Sequence, residues 1–564
     1  MTGTERRPRR SRRTAHGAAT LAVALSALGA GVPADLREAL ETITERDLDA
    51  HLRFLSSDEL RGRAPGTPGG EAAAAYIAAQ YARAGLEPFG GDFQQRFDVV
   101  GTTTDPDRSS LALLPAGGPA TEADIPAQAV LWPGVPDTAI DVEGEVVFVG
   151  YGVAAPEYGW DDFGGVDLTG RIALVLVGDP PAPPAEPDLF DGFALTYYGR
   201  WTYKLEEAAR RGAAGVLLVH TTARAGYPWS VVEASWTGEQ FALPPRPDGA
   251  AVAPLQGWVT SAYAREMAAA AGLDFADLTA QAARREFVAL PTGLRARGTL
   301  RAAVRPLRTA NVVGVLAGGD PAGRAEAVVL TTHYDHLGVG PPVDGDSIYN
   351  GAYDNASGVS LLLEIAEAFG SLEPRPRRSI VFVATAAEEA GLLGAEHYVR
   401  NPPVPLRRTL ANVNIDGGNL WGETEDVVAM GGERSTLGVV ARRRAAEMGM
   451  RITPDRAPER GFFFRSDHFP FARAGVPALY VEHGLAYRGR AAGWGERQLS
   501  AYDARDYHRP SDEYDSDMDL SGAVQQARLV MLIAYDVAEA DAPPEWFETS
   551  EFKPARDRLM GARR

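Results

Sequence analysis

Ala327–Thr332 reads AVVLTT, an apolar run that stops at His333-Tyr334-Asp335. Two later runs have the same shape. Ser379–Ala387 (SIVFVATAA) ends in Glu388-Glu389, and Leu410–Ile415 (LANVNI) ends in Asp416. Apolar runs of this length read as strands. In an open α/β sheet, ligands collect beyond the carboxyl ends of the strands. Three such ends bringing His, Glu and Asp to one edge supply what a carboxylate–imidazole metal centre needs.

Bulk composition narrows the alternatives. The 564 residues are 45% hydrophobic and 23% charged, ordinary globular values for a chain long enough for two or three domains. The formal net charge of -19 has the wrong sign for phosphate neutralisation, so a nucleic-acid binder is not expected. No polybasic membrane patch and no spanning segment stands out. With no cysteine in the chain, thiolate metal sites, disulfides and a catalytic thiol are excluded. Any metal must be held by His, Asp and Glu.

Residues 1–34 differ from the rest. They carry Arg6, Arg7, Arg9, Arg10, Arg12 and Arg13 against the single acid Glu5, then an Ala/Leu/Val/Gly stretch ending near Pro33-Ala34. A basic head, a short apolar run and small residues predict a secretory signal peptide, hence export to periplasm, cell wall or medium. The apolar run is shorter than the ~20 residues of a spanning helix.

Leucine and isoleucine spacing predicts a helix over 35–57, Gly and Pro mark a loop over 61–70, and a helix is expected over 71–84. Near residue 125 the character changes. Strand-like runs at 145–153, 171–177 and 215–220 surround a helical 202–211, a compact unit of its own. This unit, 126–290, has no cluster of His and acids, so no chemistry is expected there, and His220 reads as a packed residue. It separates an amino-terminal segment, 35–125, from a second α/β series, 291–545. Residues 546–564 read as a polar tail over the surface. A helix over 356–369 is expected, with Asp354 and Asn355 before it as caps.

Taken singly, each candidate residue has a plain structural reading. His333 is a histidine after a strand, with His336 as a competitor. Asp354 is a helix cap, Glu388-Glu389 a solvated helix start, and Asp416 a turn residue. His508, in Tyr507-His508-Arg509-Pro510-Ser511-Asp512, lies in a late loop, and His468 and His483 have no evident role. Adjacent carboxylates at 388 and 389 nevertheless point along different vectors, so one can ligate while the other acts as a base.

In order, HYDHLG, YDNASG, AEEAGLLG, NVNIDG and YHRPSD resemble the M28 family of co-catalytic zinc aminopeptidases, and HLRFLSSDELRGRAPGTPGG resembles its lead-in segment. The resemblance implies an α/β fold with a mixed, mostly parallel sheet flanked by helices, and a strand-rich protease-associated domain inserted at 126–290. It implies two zinc ions per chain. His333 and Asp416 would hold one, Glu389 and His508 the other, and Asp354 would bridge them. Glu388 takes the general acid/base position, Asp335 stands behind His333, and Tyr507 would polarise the substrate carbonyl. Substrates would be peptides with a free amino terminus. Carboxypeptidases, dipeptidases and glutaminyl cyclases share the scaffold, and a receptor-like binding protein is the non-catalytic alternative.

Overall fold

The computed structural model describes residues 32–245, 249 and 251–561, so the expected signal peptide falls almost wholly outside the described residues. The chain enters through two helices, α1 (Ala34–Thr42) and α2 (Glu45–Leu55). The leucine spacing predicted a single helix here. Thr44 breaks it, because its side chain accepts the Asp47 N–H and starts a new amino terminus. Helix α3 (Pro68–Arg83) begins before the predicted Glu71, with Thr67 as cap and Pro68 in the first turn, where its missing N–H is harmless.

Strand β1 (Gln94–Thr104) leads into the strand-rich unit: β2 (Ser110–Leu114), β3 (Ala129–Pro133), β4 (Ala139–Phe148), β5 (Ile172–Leu176), helix α4 (Trp201–Arg210), β6 (Gly215–His220) and β7 (Leu255–Thr260). The next strand, β8 (Leu290–Leu316), is 27 residues long. Its first part pairs antiparallel with β2 and β4, and its second part with β1. One strand therefore runs through both sheets and fixes the strand-rich unit to the larger one. The β4–β5–β6–β7 steps are parallel, and β3 closes the far edge antiparallel.

The larger sheet continues with β9 (Ala327–His333), helix α5 (Gly358–Gly370), β10 (Ser379–Thr385), β11 (Thr409–Asn414), β12 (Asp426–Met430), β13 (Ala478–His483) and helices α6 (Trp494–Arg505) and α7 (Ser521–Glu539). Its order is β1-β8-β10-β9-β11-β13-β12. The central strands β10, β9, β11 and β13 are parallel, and the flanking pairings are antiparallel. This is the expected mixed, mostly parallel α/β sheet.

Every residue of β9, β10 and β11 is buried. The side chains alternate between two cores. Val328 and Leu330 face α1, α2, α5 and α7, whereas Val329 joins Val381, Phe469, Phe471 and Trp546 on the other face. The carboxyl-terminal tail departs from its predicted surface course. Trp546 and Phe552 are 4% and 3% exposed and pack into that second core, since two large aromatic rings gain more from burial than the polar residues around them lose. No described helix is long and apolar enough to cross a membrane.

Candidate metal centre

The carboxyl ends of β9, β10 and β11 meet at one edge. His333 is the last residue of β9, and its Nε2 lies 3.0 Å from Asp416 Oδ1 and 3.3 Å from Asp354 Oδ1. His508 Nε2 lies 3.3 Å from Asp354 Oδ2 and 3.3 Å from Glu389 Oε2. Asp354 thus offers one oxygen to each half of the site. Four spacings of 3.0–3.3 Å discriminate between two arrangements. Charge-assisted N–H···O bonds settle at about 2.7–2.9 Å. Ligand atoms about 2.0–2.2 Å from a tetrahedral ion lie about 3.3–3.6 Å apart. Three of the four fall in the second pattern and the His333–Asp416 spacing lies between the two, so the donor set has room for a divalent cation on each side of Asp354.

The charge balance supports the same fit. Asp335, Asp354, Glu388, Glu389, Asp416 and Asp467 crowd the edge; Asp335, Asp354 and Asp467 are buried and the other three half-buried. Buried anions need compensation, and among the described residues the imidazoles of His333, His336 and His508 are the basic groups within 4 Å of these carboxylates. Burial opposes charge on His508, yet Glu389 and Asp354 outweigh it and push the ring up to about 11. Burial likewise opposes ionisation of Asp354, but hydrogen bonds with His333 and His508 hold its carboxyl well below the usual range. Glu389 is held down at about 2 despite burial, chiefly by His508. Glu388 goes the other way. Burial, only partly offset by His333, raises its carboxyl well above the ordinary value, as suits a group that must accept a proton and then give it up.

Local backbone aims these groups. Between β10 and Glu388 the chain turns through Ala387 at φ 58°, an unfavourable angle for a residue with a Cβ. After the turn the adjacent carboxylates diverge. Glu388 Oε2 stands 3.9 Å from His333 Nε2, and Glu389 faces His508. Asp335 was expected to take the second ring nitrogen of His333 on its carboxylate. The ring Nδ1 instead meets the Asp335 backbone carbonyl at 3.1 Å, with the carboxylate at 4.0 Å. That carboxylate accepts the Glu388 N–H at 3.1 Å, so it anchors the turn carrying the proposed base.

The capping expectation at α5 divides between two residues. Asn355 Oδ1 accepts from Gly358 N at 3.0 Å and from Gly417 N at 2.8 Å, capping the helix and tying it to the Asp416 loop. The Asp354 carboxylate is left free for the histidines.

His336 remains a partial rival to His508. Its ligand atoms lie with those of Asp354 and Glu389 within 4.8 Å of one another. Its Nδ1 is 2.7 Å from Glu389 Oε1, an ordinary hydrogen-bond length, so it orients Glu389 while His508 reaches both carboxylates. Tyr507 is 49% exposed, and its ring stacks on His508 at 4.0 Å. His468 is fully buried, with both ring nitrogens lacking partners among the described residues, and burial lowers it to about 3. His483 meets the Tyr353 hydroxyl at 2.8 Å. His220 meets the Tyr227 carbonyl at 3.0 Å. None of these three belongs to the metal cluster.

Two positioning residues escaped sequence reasoning. Arg63, 1% exposed, donates to the carbonyls of Leu55, Tyr334, Asn350 and Gly351, clamping the His333 and Asp354 loops to the amino-terminal segment. Asp512 accepts from Tyr353 N at 2.9 Å and Asp354 N at 3.1 Å, which ties the His508 loop to the bridging carboxylate. The only sequence signal was their place inside quoted motifs. A cleft of about 1740 Å³ opens beside His336 and Glu389, its opposite wall supplied by Trp132, Trp201 and Trp236 of the strand-rich unit.

Residues 311–533 match the profile of Peptidase family M28. Aminopeptidase YwaD of Bacillus subtilis (strain 168) is 27% identical over 227 residues, 39% of this chain and 43% of that protein. Leupeptin-inactivating enzyme 1 of Streptomyces exfoliatus is 28% identical over 206 residues, 36% and 42% of the two chains. The matched region thus spans less than half the length of either relative. Among solved structures, an aminopeptidase from Aneurinibacillus sp. strain AM-1 superposes with TM-score 0.50 at 19% identity, covering 91% of this chain and 97% of that one, a likeness of fold.

Proposed function

We propose that this chain, whose residues 311–533 match the peptidase family M28 profile, is a metallo-aminopeptidase of that family that removes the amino-terminal residue of peptides with two zinc ions. The observation that carries this reading is the division of the Asp354 oxygens between His333 and His508, each also beside a further carboxylate. His333 and Asp416 would hold one ion, Glu389 and His508 the other, with Asp354 between them. Bound there, such ions would supply Lewis acidity toward the scissile carbonyl and would bring the acidity of the attacking water close to neutral pH.

The chain's own groups do the rest. Glu388, 10% exposed and beside His333, takes the proton of the attacking water on a carboxylate oxygen and delivers it to the leaving nitrogen. Its raised affinity for protons keeps both steps close in energy. The Asp335 carboxylate fixes its backbone, and His336 fixes Glu389. Tyr507, stacked on His508, presents its hydroxyl toward the carbonyl oxygen. Carboxylates not saturated by the ions receive the substrate's free ammonium, which confines cleavage to the terminal residue.

The domain reading belongs to the same proposal: a protease-associated domain over about 126–290, set within the peptidase domain. Export is proposed from the basic and apolar character of residues 1–34.

Metal analysis with a peptide panel tests the function. We expect close to two zinc ions per chain, chelator-sensitive release of residues from free-amine peptides, and no cleavage of their N-acetyl counterparts. Cleavage of amino-blocked peptides, or a single ion with full activity, overturns the aminopeptidase assignment.

A further inference from the structure

The cleft beside the metal edge is larger than one residue needs. Its volume of about 1740 Å³ exceeds the roughly 300–1,000 Å³ that suffices for a drug-sized ligand. Asp335, His336 and Glu389 line one side, and Trp132, Trp201 and Trp236 line the other. An aminopeptidase substrate has nothing before the residue it loses. Space beyond that residue can therefore be filled only by residues that follow the scissile bond.

The aromatic wall has a base and a face. Trp132 is buried, donates its indole N–H to Gln256 Oε1 at 2.9 Å and stacks against Trp236 with ring centres 4.0 Å apart. Trp201 meets Trp236 edge-on at 5.2 Å. Trp201 and Trp236 are only half-buried, and neither indole N–H meets an acceptor among the described residues. Such rings offer an apolar surface to a side chain and a donor to a main-chain carbonyl. Leu337 and Val339, just after His336, and Val252 of the strand-rich unit are exposed apolar residues that line the same cleft. Exposed apolar side chains gathered from separate segments mark a binding groove.

The charged side chains of the cleft are largely spent on one another. Arg305 donates to Glu239, and Arg473 donates to both Glu206 and Glu396. The second of these arrangements also fixes the wall in place. Glu206 lies on α4, which Trp201 begins, and Glu396 lies on the helix Leu393–Arg400 that follows the Glu388-Glu389 turn. Arg473, 2.7 Å from Glu206, thus ties the tryptophans to the element that carries the metal-edge carboxylates.

We propose, resting on the peptidase reading above, that this cleft seats the second and third residues of the peptide, and that Trp201 and Trp236 make an aromatic side chain there a preferred feature of the substrate.

The test compares kcat/KM of the zinc-loaded full chain on three tripeptide amides. Leucyl-phenylalanyl-alanine amide and leucyl-alanyl-phenylalanine amide are each set against leucyl-alanyl-alanine amide. The wild type should prefer a phenylalanine peptide roughly 10- to 100-fold, the range for burying one aromatic side chain, and the preferred peptide identifies the position. W236A should reduce that preference roughly 3- to 10-fold, the range for one lost aromatic pair. V339S, at an exposed position where the fold is not at risk, should reduce it by a smaller factor and decides the matter if W236A does not fold. Partial loss of structure lowers the rates on all three peptides alike and leaves their ratios untouched. Ratios equal in wild type and variants, or a wild type without preference, therefore overturn the proposal while the peptidase reading stands. If none of the peptides is cleaved, calorimetric titration of the full chain with the same amides decides. Tighter binding of a phenylalanine peptide by the wild type, lost in W236A, would then mean that the peptidase reading fails and the aromatic cleft stands. Equal binding of all three would mean that the cleft fails as well.

Discussion

Two of the buried charge clusters among the described residues, one in each unit, differ in a way that separates scaffold from site. In the strand-rich unit, Lys204 is 1% exposed and lies within electrostatic reach of Asp162 and Asp179. Each carboxylate there is satisfied locally. Asp162 accepts from Val153 N and Trp160 Nε1, and Asp179 accepts from Thr196 N and Oγ1. Lys204 then compensates the remaining charge. At the metal centre the carboxylates outnumber their hydrogen-bond donors and face histidines at ligand spacing. Both clusters have displaced pKa values, so displacement alone does not mark function. A surplus of acceptors converging on one point beside an open cleft does.

Exchanging one group in each cluster should affect opposite properties. Glu388→Gln should lower kcat by about 10²–10⁴, the contribution of a positioned general base, while zinc content stays at two per chain and the melting temperature does not fall. A variant with near-normal turnover would remove Glu388 from the base position. Lys204→Met should instead lower stability by about 1–3 kcal/mol, because it removes an ammonium that attracts two buried carboxylates without bonding to either. Urea unfolding measures this, with the zinc content of the folded fraction the same as in the wild type. A loss below 1 kcal/mol would mean that the aspartates already carry protons.

How much of this contrast the chain announces depends on sequence distance. The strands leading to His333, Glu388 and Asp416 are legible because continuous apolar burial is a local pattern and each candidate residue lies at its strand's end or within three residues beyond it. The mixed, mostly parallel sheet was implied by the family resemblance of the ordered motifs rather than by any single run. The clamps are not legible. The Asp512–Tyr353 bond joins residues 159 positions apart, and the Arg63–Tyr334 bond spans 271. No spacing rule connects such pairs. Asp354 and Asn355 show the limit at close range. Both are good caps by residue type, and only the fold decides that Asn355 caps while Asp354 turns inward. The Lys204 cluster was missed for a different reason: the sequence reading looked for His with acids, and a lysine in an amphipathic helix reads as a solvated face.

Asp335→Asn sharpens the comparison within the metal centre. The variant keeps an oxygen for the Glu388 N–H but loses the negative charge 4.0 Å behind His333. Partners standing behind a metal ligand typically contribute 10–100-fold to affinity, so chelator competition should show zinc binding weakened by about that factor. Unchanged affinity would confine Asp335 to anchoring the turn.

The smallest effect is a slope, and its sign is distinctive. Burial raises Asp162 and Asp179 to about 6, above the ordinary value near 3.9. Between those limits the folded chain binds more protons than the unfolded one, so this pair's contribution to stability falls as pH rises through the window. Burial lowers Lys204 to about 8, below the ordinary value near 10.4. There the unfolded chain binds more protons, so the Lys204 contribution grows as pH rises from 8 toward 10. The difference in unfolding free energy between wild type and Lys204→Met, followed from pH 8 to 10, should therefore widen as pH rises, since only the wild type gains from deprotonating that ammonium. A difference that stays constant over this range would place Lys204 in contact with water and remove it from the buried cluster.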